Sequence, residues 1–545
     1  MAISAPPSVE TSTPQHRGFL RSARTVSVLT LLSRVLGMLR DAATAYVLGA
    51  GVVNDALTWA WTIPNAFRRL FGEGALSSAF LPVLTRELKE HGRPGARRVA
   101  NEVVSTFGVF LVALAALLVL AANFVPDDAL VWAFGVDKLD KMRLALGYVQ
   151  WLLPYLVVVC LIAQFMAVLH SLDEFGIPAF SPVILNVVWL VGIGLAAWWG
   201  HWGSPDTASD ALRVHQGFFV VGAILVASVA QFAWHLRPMA KLGMGFRFVR
   251  PRRSPEVRRV ASLMGPMLLG LGAAQINIVA DRTIAMANLS DGGITHLFYG
   301  LRLMQFPLGM VSVALATAVY PSLTRMAERQ DKKGLASTTS LALRTNLLIA
   351  LPAAVGLAVL ASPIVRLLFL GGAFDEQSAG LTTNALVGYT LGVPFAGSVM
   401  LLTRASYAAG DVRLPVRIGL AMVLVNIGLD LILVGPFQEL GLSLATSITS
   451  LLTAAWMLYG LRTRLELSRD ERLLVGGLPA LLPAAVMALG VWGLDTLLAP
   501  WLDHGRLAMA ARVGAGMLAG AAIFALTASR TCPREWKEIS ALWKR

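Results

Sequence analysis

The sequence predicts an all-α polytopic membrane protein with about fourteen transmembrane helices, and three observations support this fold class. Of its 545 residues, 56% are hydrophobic and only 14% are charged, whereas soluble domains carry about 25% charged residues. Its apolar runs are long enough for helices to cross a bilayer and too long for the strands of an outer-membrane barrel. Basic residues concentrate in every second connection between these runs.

The charge of the connections predicts the orientation of the chain. Basic clusters such as 93–98 and 247–259 alternate with connections that are poor in Lys and Arg. Because cytoplasmic loops are enriched in Lys and Arg, both termini are expected in the cytoplasm, which requires an even number of crossings. This topology also explains the net charge of +14, so no nucleic-acid partner is predicted.

An internal repeat predicts two lobes. Ala79–Arg86 reads AFLPVLTR, and Ala318–Arg325 reads AVYPSLTR. Six helices in each lobe would give both lobes the same orientation, related by a pseudo-two-fold axis along the membrane normal, with substrate bound between them. The predicted divisions are a disordered cytoplasmic tail (1–21), an N-lobe (22–237), a basic linker (238–257), a C-lobe (258–465), two additional helices (466–530) and a cytoplasmic tail (531–545).

The first apolar run, Thr25–Gly49, contains Arg34, Arg40 and Asp41. A charge near mid-membrane costs about 3 kcal/mol or more, so one helix cannot expose all three groups to lipid. Arg34, Gly37 and Asp41 share one face of a helix, and we expect this face to line a water-filled cavity. The alternative is that these charges pair between helices as a structural contact.

Two further segments carry arginines in apolar surroundings. The second segment contains Arg68 and Arg69, with Glu73 four residues after Arg69 and Asp55 at its outer entrance. The i,i+4 spacing of Arg69 and Glu73 predicts an ion pair on one helix face. The eighth segment contains Arg302.

Convergence of these arginines would give a cationic cluster between the lobes. Guanidinium groups bind phosphate oxygens in pairs and stay charged when dehydrated, so such a cluster suits a pyrophosphate. The alternative is a set of salt bridges, but three nearby acids cannot neutralise five arginines. The candidate pyrophosphate ligands are Arg34, Arg68 and Arg302, and the candidate cavity and gating charges are Arg40, Asp41, Asp55, Arg69 and Glu73.

The second lobe offers oxygen ligands. Asp281 and Arg282 are in the seventh segment, Asn426 and Asp430 are in the eleventh, and Thr446 is in the twelfth. Carboxylate, amide and hydroxyl oxygens suit a hard cation such as sodium. The alternatives are a pair between Asp281 and Arg282, or a proton relay.

No enzyme signature is found in the sequence, which lacks the Walker A, HExxH and GxSxG patterns. Cys160 and Cys532 are too far apart in the sequence to indicate a metal or disulfide framework. The chain is therefore predicted to be a transporter without catalytic residues. A membrane enzyme acting on polyprenyl phosphates and a cell-wall scaffold are the rival predictions from other classes.

Five motifs resemble those of the MviN/MurJ-type lipid II flippases, members of the multidrug/oligosaccharidyl-lipid/polysaccharide exporter superfamily. The motifs are SRVLGMLRD (Ser33–Asp41), NDAL (Asn54–Leu57), IPNAFRRLFGEGALSSAFLP (Ile63–Pro82), GIPAFSPVILN (Gly176–Asn186) and LRLMQFPLGM (Leu301–Met310). The resemblance implies fourteen helices around a central cationic cavity. It also implies movement of lipid II, the undecaprenyl-pyrophosphate-linked peptidoglycan precursor, from the cytoplasmic to the periplasmic leaflet of the bacterial inner membrane.

Residue by residue, the resemblance assigns pyrophosphate binding to Arg34, Arg68 and Arg302. Matches to further charged positions of the family's cavity and gates are Arg40, Asp41, Asp55 and Glu73. Matches to the sodium site of some members are Asp281, Asn426, Asp430 and Thr446, so sodium is a candidate coupling ion. The pair at 466–530 resembles a groove for the polyprenyl tail, and the implied partners are lipid II, membrane lipids and the peptidoglycan synthesis machinery.

One position departs from the family pattern. The family commonly reads YADRL before the arginine of the eighth segment, where this chain reads YGLRL, with Leu301 in place of Asp. Within the superfamily, the alternatives are a polysaccharide-lipid flippase and a cation-coupled multidrug exporter. An exporter of cationic drugs is expected to have an acidic cavity.

Overall fold

The computed structural model describes residues 14–200, 210–464, 479–502 and 505–533. Within these ranges the chain is almost entirely helical, with a single isolated β-bridge between Gly371 and Phe374. The all-α prediction is therefore confirmed. The helices are α1 (Pro14–Leu48), α2 (Val52–Phe67), α3 (Ala75–Asn123), α4 (Asp127–Phe134), α5 (Leu139–His170), α6 (Gly176–Gly200), α7 (Asp210–Lys241), α8 (Pro255–Asn288), α9 (Gly293–Pro307), α10 (Ala314–Glu328), α11 (Lys332–Val359), α12 (Ala361–Phe369), α13 (Glu376–Thr390), α14 (Val393–Ala408), α15 (Arg413–Arg464), α16 (Leu481–Leu502) and α17 (Arg506–Thr531).

Nine helical stretches of the described chain are long and apolar enough to cross a membrane, or up to eleven if each of two bent pairs counts as one span. Val52–Asn123 has 72 residues and Arg413–Arg462 has 50, and one crossing needs only about 20 residues. Both contain a residue with non-helical backbone angles, at Gly92 and Gln438 respectively. Each stretch is therefore long enough for two crossings, and the total of fourteen stays a prediction.

Several predicted boundaries differ from the structure. The described part of α1 starts at Pro14, so residues 14–21 of the predicted first tail are helical in the structure. Residues 1–13 of the predicted first tail, 465–478 at the predicted boundary between the C-lobe and the last two helices, and 534–545 of the predicted last tail lie outside the described residues.

The segment between α7 and α8 is shorter than the predicted linker at 238–257. Helix α7 continues to Lys241 and α8 starts at Pro255. Between them the chain is non-helical and lies against α3, where the backbone N–H of Arg247 donates to the Asn101 Oδ1 atom at 3.1 Å. This contact holds the connection between the two halves of the chain against the first half.

Most helix packing occurs within each half of the chain. Helix α6 packs on α1 and α7, and α5 packs on α2, α3 and α7, while in the second half α13 packs on α9 and α15, and α14 on α11 and α15. The halves meet where α2 and α3 contact α8, and where α2 contacts α9. Helices α16 and α17 pack on each other, with α16 also against α11 and α17 against α12. The predicted lobe boundaries and symmetry axis stay predictions.

Two π-helices interrupt the helices that face the partner half. One, Arg68–Gly74, joins α2 to α3, and the other, Leu308–Val313, joins α9 to α10. They end at equivalent places before the repeated sequence, at Gly74 before Ala79 and at Val313 before Ala318. Because π-helical turns often occur at functional sites, this correspondence directs attention to the surface between the halves.

Candidate functional site

A cavity of about 380 Å³ lies between the two halves of the molecule. Residues of α1, α2, α5, α6 and α7 line one side, and residues of α8, α9, α13 and α15 line the other. Among the lining residues that the structure describes, Asp281 is the one acid, against six arginines. The arginines are Arg34, Arg40, Arg68, Arg69, Arg282 and Arg302.

The three arginines predicted to bind pyrophosphate all line this cavity. Arg34 and Arg68 belong to the first half of the chain and Arg302 to the second. The Nε and Nη2 atoms of Arg68 donate to the Asn65 Oδ1 atom, one turn earlier, at 3.1 and 3.0 Å. Arg34 lines the cavity, and its side chain is exposed. The structure thus brings together residues that are far apart in sequence.

Asp41 connects the two halves at the wall of the cavity. Its Oδ1 atom accepts hydrogen bonds from Arg40 Nε at 3.0 Å and Nη2 at 2.6 Å, and its Oδ2 atom accepts from Arg302 Nε at 2.9 Å. Arg40 also donates to the Asn186 Oδ1 atom at 3.1 Å and lies 4.4 Å from the ring centroid of Trp189. Asp41 is buried, so these charge-assisted bonds form in a medium where they are strong.

The bond to Asp41 explains how Arg302 is held although its neighbour Leu301 is apolar. The acid comes from the opposite half of the molecule rather than from the adjacent position. Arg302 therefore contributes a contact between the halves as well as positive charge in the cavity.

Asp55 is a fully buried carboxylate at the end of the bundle where α1 stops and α2 starts. Its Oδ1 atom accepts from the Thr295 backbone N–H at 2.9 Å and hydroxyl at 2.7 Å. Its Oδ2 atom accepts from the Gly292 N–H at 2.8 Å and Lys141 Nζ at 2.6 Å, and Lys141 also reaches Asp291 at 3.1 Å. Asp55 thus caps the first turn of α9 from the other half, an arrangement favoured by the helix dipole.

The alternative that Asp55 would pair with a cavity arginine is wrong, because its charged partner is Lys141. The sequence analysis missed Lys141, because it lies in a charged stretch, DKMR (Asp140–Arg143), that reads as a connection before the fourth apolar run. The predicted pair between Arg69 and Glu73 falls in the π-helix, so its α-helical spacing does not apply. The side chain of Glu73 lies outside the described part of the chain.

Backbone contacts also close the bundle near Asp55. The N–H of Ala373, before α13, donates to the Tyr46 carbonyl of α1 at 2.8 Å. Gly49 has φ of 67°, and a Cβ atom there would lie 2.3 Å from the Ala373 carbonyl oxygen. Only glycine combines this backbone angle with so close an approach, so the halves touch directly at this end.

The oxygen-rich residues of the second half form a separate cluster beside the cavity. The Asn277 amide donates to Asn426 Oδ1 at 2.6 Å and to Asp281 Oδ2 at 3.2 Å. The two carboxyl oxygens of Asp430 are buried, and no described donor bonds to them. The Asp430 carboxyl group lies beside that of Asp281.

This donor set fits a hard cation, since the buried oxygens of Asp430 have no described donor and adjoin the second carboxyl group of Asp281. Thr446 lines the cavity nearby and donates to the Leu442 carbonyl oxygen at 3.2 Å. Arg282 donates to the Ile294 carbonyl oxygen at 2.8 Å, which is the partner that the structure shows for it in place of Asp281.

An all-helical bundle with a cationic cavity between two halves defines a polytopic membrane transporter. The family model for "Lipid II flippase MurJ" matches residues 44–510. A probable lipid II flippase MurJ from Vibrio cholerae is 32% identical over 525 residues, 94% of this chain and 96% of the relative. A probable lipid II flippase MurJ from Rhizobium meliloti is 32% identical over 500 residues, 91% of each chain. The chain belongs to the lipid II flippase MurJ family.

Solved structures share this fold. A lipid II flippase MurJ in an inward-closed conformation superposes with a TM-score of 0.72 at 23% identity, covering 92% of this chain and 98% of that one. An inward-facing multidrug resistance transporter of the MATE family gives a TM-score of 0.64 at 13% identity, covering 81% and 98%. The family model and the relatives, rather than these likenesses, separate the flippase family from the MATE transporters.

Proposed function

We propose that this protein moves lipid II from the cytoplasmic to the periplasmic leaflet of the bacterial inner membrane by alternating access. Both termini are in the cytoplasm in this proposal, as the distribution of Lys and Arg indicates. The Asp55 end of the bundle then faces the periplasm, because α1 runs outward from its cytoplasmic start. The protein acts as a transporter in peptidoglycan synthesis and carries out no chemical conversion.

The observation that carries the proposal is the cavity with six arginines and a single described acid. A pyrophosphate presents several anionic oxygens to paired guanidinium donors, and these donors remain charged in a dry cavity. A cationic drug would be repelled by the same surface, which disfavours a multidrug exporter. A polysaccharide-lipid flippase has a comparable headgroup, and family membership favours lipid II over that alternative.

Substrate binding is coupled to the contact between the halves through Arg302. In the structure Arg302 is bonded to Asp41 of the opposite half at 2.9 Å. A bound pyrophosphate would compete with Asp41 for the same guanidinium group. Binding therefore weakens one of the bonds that hold the periplasmic side together, and the lobes can rock to expose the headgroup.

Two sources of energy suit the transport cycle. A sodium ion would compensate the charge of the carboxyl groups in the second half. The residues that would hold it are Asp281, Asn426, Asp430 and Thr446. An inside-negative potential also favours outward movement of the anionic headgroup by about 2.3 kcal/mol per charge for each 100 mV. The tail would stay in lipid beside α16 and α17.

The test replaces each of Arg34, Arg68 and Arg302 with Ala and measures the exposure of lipid II to an external probe in intact cells. Each variant is expected to remain folded in the membrane and to abolish exposure. Arg329→Ala, which removes an exposed arginine outside the cavity lining, is the matched control and is expected to behave as wild type. Wild-type exposure in all three cavity variants would overturn the proposal.

A further inference from the structure

Two glycines receive the cavity arginines of the opposite half. A Cβ atom placed on Gly37 of α1 would lie 2.9 Å from Nη2 of Arg302. A Cβ atom placed on Gly309, in the π-helix after α9, would lie 3.3 and 3.4 Å from Nη1 and Nη2 of Arg34. Each side of the contact therefore supplies one arginine and accommodates the other side's arginine at a glycine.

These contacts involve the functional ends of the side chains. Arg34 and Arg302 both line the cavity, and Gly37 leaves the space in which the Arg302 guanidinium reaches Asp41 across the halves. An alanine at position 37 would lie closer to Nη2 than non-bonded atoms tolerate, so the Arg302 head must move. The Cβ atom of an alanine at 309 would lie in close contact with the Nη1 and Nη2 atoms of Arg34, so the Arg34 guanidinium group must shift by a few tenths of an ångström.

The position of two guanidinium heads matters more for a diphosphate than for a monophosphate. A monophosphate can bind to one guanidinium group, which is free to move with it. A diphosphate that bridges two guanidinium groups requires both groups at a fixed separation. We propose that Gly37 and Gly309 are positioning residues that set the selectivity of the cavity for a diphosphate over a monophosphate headgroup. This inference rests on the proposed function, because it assumes that the cavity binds pyrophosphate.

The experiment measures the affinity of the purified full chain for undecaprenyl pyrophosphate and for undecaprenyl phosphate. Gly37→Ala and Gly309→Ala are each expected to weaken pyrophosphate binding about tenfold, the loss of one well-placed charge-assisted contact. Binding of the monophosphate is expected to change less than about twofold. The ratio of the two affinities therefore falls, with no comparable fall in the thermal unfolding midpoint, because Ala is the stronger helix former.

Gly272→Ala is the matched control. Gly272 lies in α8, just after the bend of that helix, and apart from the helix's own backbone no atom lies within 4 Å of its Cβ position. This variant is expected to keep the wild-type affinity ratio. An equal fall in the ratio with Gly272→Ala, or an equal loss of both ligands with Gly309→Ala, would overturn the assignment.

A double substitution tests whether Gly309 acts through Arg34. In an Arg34→Lys background the forked head is gone, so Gly309→Ala is expected to have no further effect on pyrophosphate binding. Full additivity of the two changes would contradict the proposal. If Arg34→Ala and Arg302→Ala keep wild-type pyrophosphate binding, the proposed function fails; if they lose binding while both glycine variants keep the wild-type ratio, only the glycine assignment fails.

Discussion

Replacement of Asp55 with Asn is expected to loosen the contact between the halves at the proposed periplasmic end. Asp55 accepts four hydrogen bonds, three from the first turn of α9 and one from Lys141. Asparagine has almost the same volume, but it removes the charge and replaces one acceptor oxygen with an NH2 group, which cannot accept from the donors around Asp55. Lys141, which is 3% exposed, would then keep Asp291 as its acidic partner.

The magnitude follows from the burial of this pair. Removal of one partner of a buried ion pair costs about 3–5 kcal/mol, because the other charge remains out of water. The lower figure applies here, since Asp291 still lies 3.1 Å from Lys141 Nζ. The Asp55–Lys141 pair lies within one half, but the other three bonds of Asp55 and the Lys141–Asp291 contact cross between the halves. Separation of the halves would return Lys141 to water, so this cost falls mainly on the closed arrangement. A loss of about 3 kcal/mol lowers the ratio of closed to open forms about 10²-fold.

The assay is double electron–electron resonance between spin labels at Val136 and Gln377. Both positions are exposed, one lies in each half, and the native cysteines Cys160 and Cys532 are buried. Asp55→Asn is expected to add a longer-distance population that wild type lacks. Asp128→Asn removes an exposed carboxylate from the same end of the bundle, and it should leave the distances unchanged.

A second variant separates the effect of the buried Lys141 charge from the loss of the hydrogen bonds between Asp55 and α9. Addition of Lys141→Met to Asp55→Asn removes the uncompensated lysine, so part of the short-distance population should return. A folded Asp55→Asn protein with the wild-type distance distribution would refute the reasoning. An equal response to Asp128→Asn would refute it as well, because the effect would then be one of net charge.

Two further predictions concern other buried charges. In wild type, sodium chloride should stabilise the protein relative to choline chloride by about 1.4 kcal/mol when the sodium concentration is ten times its dissociation constant. Asp430→Ala is expected to abolish this stabilisation. Wild-type protein that responds equally to both salts would contradict the sodium assignment. Arg512 donates to both carboxylate oxygens of Asp495 at 2.7 and 2.8 Å, joining α16 to α17. Arg512→Leu should therefore destabilise the protein by about 3 kcal/mol in thermal unfolding, and Asp495→Leu/Arg512→Leu should recover most of this loss; a double variant as unstable as the single one would contradict it.

The sequence was sufficient for the fold class and for the list of charged groups that needed an explanation. Long apolar runs dictate helices, because every backbone polar group must find a partner within the bilayer. A charge inside such a run must pair or face a cavity, so Arg34, Asp41, Arg68 and Arg302 stand out without coordinates. Close sequence similarity to the flippase family then narrowed the chemistry of the substrate.

The pairing of these charges could not be read from the chain. From the sequence, both Asp41 and Asp55 could have paired with any of the arginines in the apolar runs. In the structure Asp41 bridges Arg40 and Arg302, whereas Asp55 binds Lys141. Salt bridges depend on distances of a few ångströms between helices that are far apart in sequence. No periodicity along one helix encodes such a distance.

The composition and order of the residues therefore settled which segments are helical and which of them carry charge, since both depend on local partition between water and hydrocarbon. The packing of the two halves settled which arginines share the cavity and which glycines accommodate Arg34 and Arg302. It also placed the carboxylate of Asp55 on the first turn of α9. These contacts arise only when distant helices meet, because van der Waals contact and hydrogen bonding act over a few ångströms.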